Sequence, residues 1–135
     1  MKLSNGNILI TTGVAHVILA VSPLAFGKQF SAFMELYFYK ISEGLFEFPL
    51  LNGTMDHENF AAFWFFYFGL LIIPLGFLVQ FIESKKIELP KTFKRSYLVV
   101  TVIGVYMIPF SGMTFIMLPH AVYMLLKNKS KSNTL

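Results

Sequence analysis

Two histidines are the residues best placed to do chemistry in this chain, because each lies inside a long stretch without charged residues. His16 lies in the first such stretch and His120 in the last. An imidazole in apolar surroundings can ligate haem iron or another metal, relay a proton or hydrogen-bond a quinone headgroup. The structural alternative is a neutral ring bonded to a nearby carbonyl or hydroxyl. We include Thr12 and Tyr123 with the two histidines in this predicted ligand site.

The spacing places the two histidines at one depth. His16 is eight residues from the start of its stretch, and His120 is seven residues before Lys127. At about 1.5 Å of rise per residue, both lie roughly 11–12 Å inside the same end, so they can meet if the first and last helices pack together. Neither helix carries a second histidine, which argues against a familiar bis-histidine haem pattern. The first helix has one face of small or polar residues suited to close packing: Thr12, Gly13, His16, Ala20 and Pro23.

A second candidate site is a cation site made of acidic residues and one histidine. Glu43 and Glu47 are one helical turn apart, and His57 and Glu58 follow at the start of the next apolar stretch. Carboxylates so spaced, with an imidazole, can hold a metal ion. The alternative is that the acidic residues form a solvated face and cap a helix N-terminus.

The methionines of the last helix are a weaker candidate. Met113, Met117 and Met124 are spaced to share a face with His120, and thioethers beside an imidazole can bind Cu(I). Methionine also fills irregular apolar gaps, and core packing is the interpretation we prefer.

The elements that must position these residues are apolar helices. The chain has 135 residues, of which 56% are hydrophobic and 13% charged, about half the charged fraction typical of soluble domains. Since a spanning helix needs about 20 apolar residues, the sequence predicts one all-α domain over 1–135, an integral membrane four-helix bundle. The predicted spans are about 8–26, 59–81, 94–110 and 111–128.

Between the first two spans, 28–48 alternates apolar and charged residues at helical period. Charges at Glu35, Lys40, Glu43 and Glu47 argue against spanning, so we expect an amphipathic helix in the extracytoplasmic interface.

The distribution of charge predicts an orientation. Nine of the eleven basic residues lie at the N-terminus, in 83–95 or in the C-terminal tail, whereas 27–58 holds five of the seven acidic ones. The positive-inside rule then places both termini in the cytoplasm. Because the basic residues flank helix ends, they suit anionic headgroups and not nucleic acid.

The absence of charged side chains from the apolar stretches argues against several classes of membrane protein. The central stretches of the predicted spans, 8–26, 59–81, 96–110 and 111–126, contain no carboxylate and no fixed positive charge, which argues against an ion-coupled antiporter or a charge-selective pore. The chain also has no cysteine, which excludes disulfides and thiolate metal sites.

Several short motifs suggest a family. They are Leu9-Ile10-x-x-Gly13-Val14-x-His16, Ala61-Ala62-Phe63-Trp64-Phe65 with Gly69, Pro109-Phe110-Ser111-Gly112 and Leu118-Pro119. Through them the chain resembles a family of small bacterial four-span proteins that has only a domain-of-unknown-function label, and it is more distantly similar to DoxX-like membrane proteins. The resemblance implies a four-helix bundle in a bacterial inner membrane, and the DoxX-like similarity implies a link to quinone or respiratory redox chemistry.

The leading hypothesis is therefore a non-enzymatic accessory or interaction subunit, embedded in the lipid bilayer and packing against itself or a larger membrane complex. One alternative is a ligand-binding or redox module that holds a quinone, haem or lipid-like molecule near His16 and His120. A further alternative is a transporter of an uncharged or lipophilic solute.

Overall fold

Helices make up almost all of the structure, a computed structural model that describes residues 4–37, 50–51, 54–55 and 57–126. The α-helices are α1 (Asn5–Val21), α2 (Gly27–Tyr37), α3 (His57–Ser84), α4 (Lys91–Met107) and α5 (Leu118–Leu126). A π-helical turn, Met113–Met117, directly precedes α5. Two short strands, β1 (Leu50–Leu51) and β2 (Thr54–Met55), pair antiparallel with Leu50 opposite Met55. The all-α prediction is confirmed at this level, while the strand pair was not predicted.

Each predicted span contains a helix, but the helices differ in length. Among the described residues, only α3, with 28 residues, is by itself long and apolar enough to cross a membrane, whereas α1 and Met113–Leu126 are shorter apolar helices. Pro74 lies inside α3 without ending it. The helix α2 forms the first part of the predicted interfacial helix over 28–48, and the rest of that segment, 38–48, lies outside the described residues.

The chain divides into two compact units, which we describe separately. The terminal unit comprises 1–9 and 75–135, and the central unit comprises 10–74. Both α1 and α3 contribute residues to each unit. The expectation of a single domain stays a prediction.

In the terminal unit, α3 ends in a Schellman motif. The N–H of Ile87 donates to the carbonyl of Ile82 (3.2 Å), and the N–H of Lys86 donates to that of Glu83 (3.0 Å). Lys86 takes the left-handed conformation that this motif requires, with φ of 58°. The chain thus turns sharply out of α3 and starts α4 after Pro90.

The π-helical turn lies immediately before Pro119. In an ideal α-helix the Pro119 ring would clash with the carbonyl of Phe115, four residues earlier. The turn is instead closed by a wider bond, from the N–H of Leu118 to the carbonyl of Met113, and this relieves the clash. The widened turn also shifts Met113 and Met117 away from the simple helical register that the sequence predicted.

In the described residues, many large apolar side chains are exposed, although nine apolar residues, Leu9 and Val79 among them, are buried. Large apolar side chains such as Trp64, Phe77 and Phe81 are more than half exposed. The buried residues include five polar or charged ones: Asn5, Asn59, Lys94, Thr101 and His120. Soluble folds usually keep such polar groups outside, so this surface suits an apolar surrounding.

Candidate functional site

In the central unit, α1 and α3 pack almost backbone to backbone. A Cβ atom built on Gly13 would lie 2.9 Å from the carbonyl oxygen of Gly69, and one built on Gly69 would lie 2.9 Å from Cγ2 of Val17. Glycine is thus required for the close approach of the two helices. The predicted small face of α1 therefore packs against α3 within the chain.

His16 lies on this face and is held by aromatic rings of α3. Its ring stacks on Phe65 with centroids 3.8 Å apart and planes 25° apart, and Phe68 meets it edge-on at 5.9 Å. Phe26 packs on the Phe65 ring as well, at 4.8 Å. His16 is half-buried, and one ring face is covered by an aromatic side chain. Thr12, one turn earlier, is also half-buried and makes an interaction of its own.

In the terminal unit, His120 has a different environment, built from polar groups. Its Nδ1 lies 3.3 Å from the hydroxyl of Tyr97, and the residue is only 5% exposed. Its Nε2 is buried and has no hydrogen-bond partner. When the Tyr97 hydroxyl donates to Nδ1, Nε2 carries the proton and becomes a buried donor that needs an acceptor.

Tyr97 belongs to a buried face of α4 that begins at Lys94 and continues to Thr101. The Thr101 hydroxyl donates to the carbonyl of Tyr97 (2.7 Å). Lys94 is 3% exposed, which makes it the one buried charged side chain among the described residues. The spacing of three and four residues puts all three on one side of the helix, the side from which Tyr97 meets His120.

Glu83 ties the end of α3 to the start of α1. Its Oε1 accepts from the amide nitrogen Nδ2 of Asn5 (2.6 Å) and from the Asn5 backbone N–H (3.3 Å), and its Oε2 accepts from the N–H of Gly6 (3.2 Å). A carboxylate at a helix N-terminus satisfies free N–H groups and complements the helix dipole. Here the carboxylate comes from another helix, 78 residues away.

Asn5, which donates to this carboxylate, and His120, which contacts Tyr97, each have a buried atom without a hydrogen-bond partner. Asn5 is 5% exposed, and its Oδ1 has no partner. We call Asn5, Glu83, Lys94, Tyr97 and His120 the polar cluster.

Sequence reasoning identified His120 but missed the rest of the polar cluster. Asn5 fell in a polar lead segment and Glu83 in a loop, and nothing local links them. One signal was available, since a glutamate in the last turn of a helix is unfavourable for the helix dipole and needs a partner from elsewhere.

The structure does not test the predicted pairing of the histidines. His16 belongs to the central unit and His120 to the terminal unit, so their meeting stays a prediction. Tyr123 is 42% exposed and makes an interaction of its own.

The predicted cation site also stays a prediction. His57 and Glu58 are exposed in the first turn of α3, while Glu43 and Glu47 lie outside the described residues. In the part of the chain that the structure describes, no group of three or more histidine or acidic side chains is placed to hold a metal ion.

The fold and these contacts define a class of protein, a small helical protein with apolar outer faces and a buried polar cluster. The chain matches the model of a family described as "Family of unknown function (DUF6463)" over residues 1–131, and it belongs to that family. No curated protein and no solved structure matches the chain. The more distant DoxX-like relationship therefore has no support beyond the sequence motifs.

Proposed function

We propose that this chain is a four-span protein of the bacterial inner membrane with both termini in the cytoplasm. The exposed apolar surface carries the proposal, because many large apolar side chains face outward, while polar residues such as Lys94 and His120 are buried together with apolar ones. Lipid is the solvent in which this distribution is stable. The helices shorter than α3 can still cross, because Lys91, Arg95 and other flanking basic residues snorkel to the interface.

The charge distribution supports the orientation. The segment between α3 and α4 and the start of α4 contain Lys85, Lys86, Lys91, Lys94 and Arg95. Basic residues are retained in the cytoplasm, so the end of α3 at Ser84 is the cytoplasmic end and its start at His57 the outer one.

We further propose that the protein is a non-enzymatic interaction subunit. The support is an exposed apolar stripe on α3 in the central unit, formed by Trp64, Phe68 and Leu71, each 47–53% exposed. Gly69 already packs against α1. The apolar stripe is therefore the surface of α3 that is available for a second copy or a larger partner. Aromatic residues are enriched at the cores of such interfaces.

Cysteine labelling tests the orientation directly, because the chain has no cysteine of its own. Glu58→Cys and Glu88→Cys place single thiols at exposed positions near the start and beyond the end of α3. We expect a membrane-impermeant maleimide to label Glu58→Cys in intact spheroplasts and Glu88→Cys only after lysis. Labelling of both from the same side would overturn the topology.

Native mass spectrometry tests the interaction role on mildly extracted protein. We expect a homo-oligomer or a complex with a larger membrane protein, and we expect Trp64→Ala with Phe68→Ala to weaken it. A strictly monomeric protein that recovers no partner from native membranes would overturn this role.

A second candidate function is a membrane ligand-binding or redox module that holds a quinone, haem or lipid-like molecule. The specific observation in its favour is the buried Nε2 of His120 without a partner. Visible absorption or a co-purifying molecule that disappears in His120→Phe would support it.

A further inference from the structure

The geometry points to a lipid contact surface on the last helical hairpin, α4 with Met113–Leu126, that fits a hydrocarbon layer only about 20 Å thick. Lipids with short acyl chains form such a layer, whereas the usual hydrocarbon core is about 30 Å thick. The inference rests on the membrane placement proposed above and adds which lipids surround this part of the chain. The contacts that carry it all lie in the terminal unit.

Two contacts fix the register of the hairpin. Near its open end, the hydroxyl of Tyr97 lies 3.3 Å from Nδ1 of His120. Near its turn, Met113 packs so tightly on Gly104 that a Cβ atom on this glycine would overlap the methionine sulfur. Gly104 follows Tyr97 by seven residues, and His120 follows Met113 by seven, as in an antiparallel pair without an offset. The hairpin therefore cannot lengthen by sliding one helix past the other.

The apolar height of this hairpin is small. Arg95 is the last charged residue before the turn, and Lys127 is the first one after it. From the residue after Arg95 to its end, α4 rises about 18 Å, and Met113–Leu126 rises about 21 Å. The uncharged stretch 59–81 of α3 rises about 34 Å. The helix α3 therefore matches an ordinary bilayer, whereas the hairpin falls short of one by about 10 Å.

The outer end of the hairpin has no charged side chain that could extend its reach. Snorkelling lengthens only the cytoplasmic end, where the flanking basic residues are, and the turn at 108–112 carries no charge. The residues there are apolar and open, since Tyr106 is 86% exposed and Phe110 is 91% exposed. Irregular backbone is unstable among acyl chains, so the bilayer must thin until its interface meets the turn. Tyr106 then lies at the depth that tyrosine favours.

The sides of the hairpin offer lipid few hydrogen-bonding groups. The hydroxyl of Thr101 donates to the carbonyl of Tyr97, and that of Thr114 donates to the carbonyl of Pro109. Phe115 is 67% exposed. These sides suit acyl chains and not headgroups, so the length of the chains is the property that selects lipids here.

Fluorescence quenching by brominated lipids tests the inference on the full chain in vesicles. Trp64 is the one tryptophan of the chain and is 53% exposed on α3, so the wild-type protein reports the lipids around that helix. Two variants move the reporter to the hairpin: Tyr106→Trp and Phe115→Trp, each combined with Trp64→Phe. Both keep an aromatic ring at an exposed position. Brominated dioleoyl phosphatidylcholine is mixed with unbrominated dioleoyl or dimyristoleoyl phosphatidylcholine, so that only chain length differs.

We expect the shorter lipid to exclude the brominated one from both hairpin reporters about threefold better than the longer lipid does, because each ångström of mismatch has a modest free-energy cost. At Trp64 we expect no preference for the shorter lipid, since α3 is long enough for either. The matched control is Phe77→Trp with Trp64→Phe, a reporter 55% exposed on α3 in the terminal unit. It should behave as Trp64 does.

The same preference at the hairpin and at the two α3 reporters would overturn the inference, as would a hairpin preference for the longer lipid. Native mass spectrometry of the wild-type protein decides the case if the variants fail to fold. From an equal mixture of the two unbrominated lipids we expect retention of the shorter one to exceed that of the longer one, and equal retention would contradict the inference. Absence of quenching at every reporter would overturn the membrane placement as well, so the two failures are distinguishable.

Discussion

Two of the three histidines of this chain, His16 and His120, lie in opposite kinds of environment. In the central unit, His16 stacks on Phe65, and a close glycine contact between α1 and α3 holds that region together. In the terminal unit, His120 contacts the hydroxyl of Tyr97, and the Glu83 carboxylate binds the start of α1. The central unit relies on shape and aromatic contact, whereas the terminal unit relies on hydrogen bonds and charge.

The difference between the two histidine environments indicates which histidine is the better candidate for binding a ligand. A stacked ring has one face already covered, whereas His120 retains a buried nitrogen without a partner. Equal depth in two helices therefore does not imply equal roles. If the comparison is right, polar substitutions harm the terminal unit and steric ones harm the central unit.

The largest effect is expected at Glu83. Glu83→Ala removes the acceptor for three donors at the start of α1 and leaves buried Asn5 unsatisfied. We expect a loss of about 2–4 kcal/mol in the free energy of unfolding, since bonds to a charged group contribute about 1.5–3 kcal/mol. An SDS titration followed by circular dichroism measures it. Glu35→Ala, at an exposed position of α2, is the control, and an equal loss there would show that Glu83 has no special role.

The contact between Asn5 and Glu83 could not be predicted from the sequence, whereas the helices could. Uncharged stretches and flanking charges are local properties, so they predicted a helix in each of the four stretches, with bounds that differ from those of the structure by two to seven residues. The bond between Asn5 and Glu83 depends on two helix ends meeting, and no local pattern encodes that meeting. The left-handed conformation of Lys86 could not be predicted either, because glycine is the usual residue at such a helix cap. Of the candidate sites, the sequence supplied His120 but not the residues around it.

The central unit is tested by Gly13→Ala. The new Cβ would lie 2.9 Å from the carbonyl oxygen of Gly69, which is backbone and cannot move aside cheaply. We expect destabilisation of about 1–3 kcal/mol, the usual range for overpacking. The matched control is Gly112→Ala, where a Cβ would meet nothing within 4 Å. If both variants unfold at the same SDS fraction, α1 and α3 are not closely packed.

The same substitution at both histidines sharpens the comparison. His120→Phe removes the partner of the Tyr97 hydroxyl, and we expect a loss of about 1–2 kcal/mol because a buried polar group is left unpaired. His16→Phe keeps an aromatic ring on Phe65, so we expect a change below about 0.5 kcal/mol, as for a swap that conserves shape. Thermal unfolding of the two variants side by side measures the difference. A larger loss in His16→Phe would reverse our assignment of the two environments.

The smallest effect, a gain, is expected at Lys86, which sets how α3 ends beside Glu83. Its φ of 58° is unfavourable for a residue with a Cβ, and its side chain is exposed. Lys86→Gly should relieve this and stabilise the protein by about 0.5–1 kcal/mol.

The control is Lys85→Gly, which removes the same charge one residue earlier. Lys86 is the one non-glycine residue with positive φ among those the structure describes, so glycine gains nothing at Lys85 and should destabilise. Lys85→Gly also removes the contact of its ammonium with the Phe81 ring, 5.5 Å to the ring centroid, so we compare the signs of the two effects, and a stabilisation confined to Lys86→Gly indicates the cap. Equal effects would mean that α3 does not end in the left-handed turn that leads into the polar cluster.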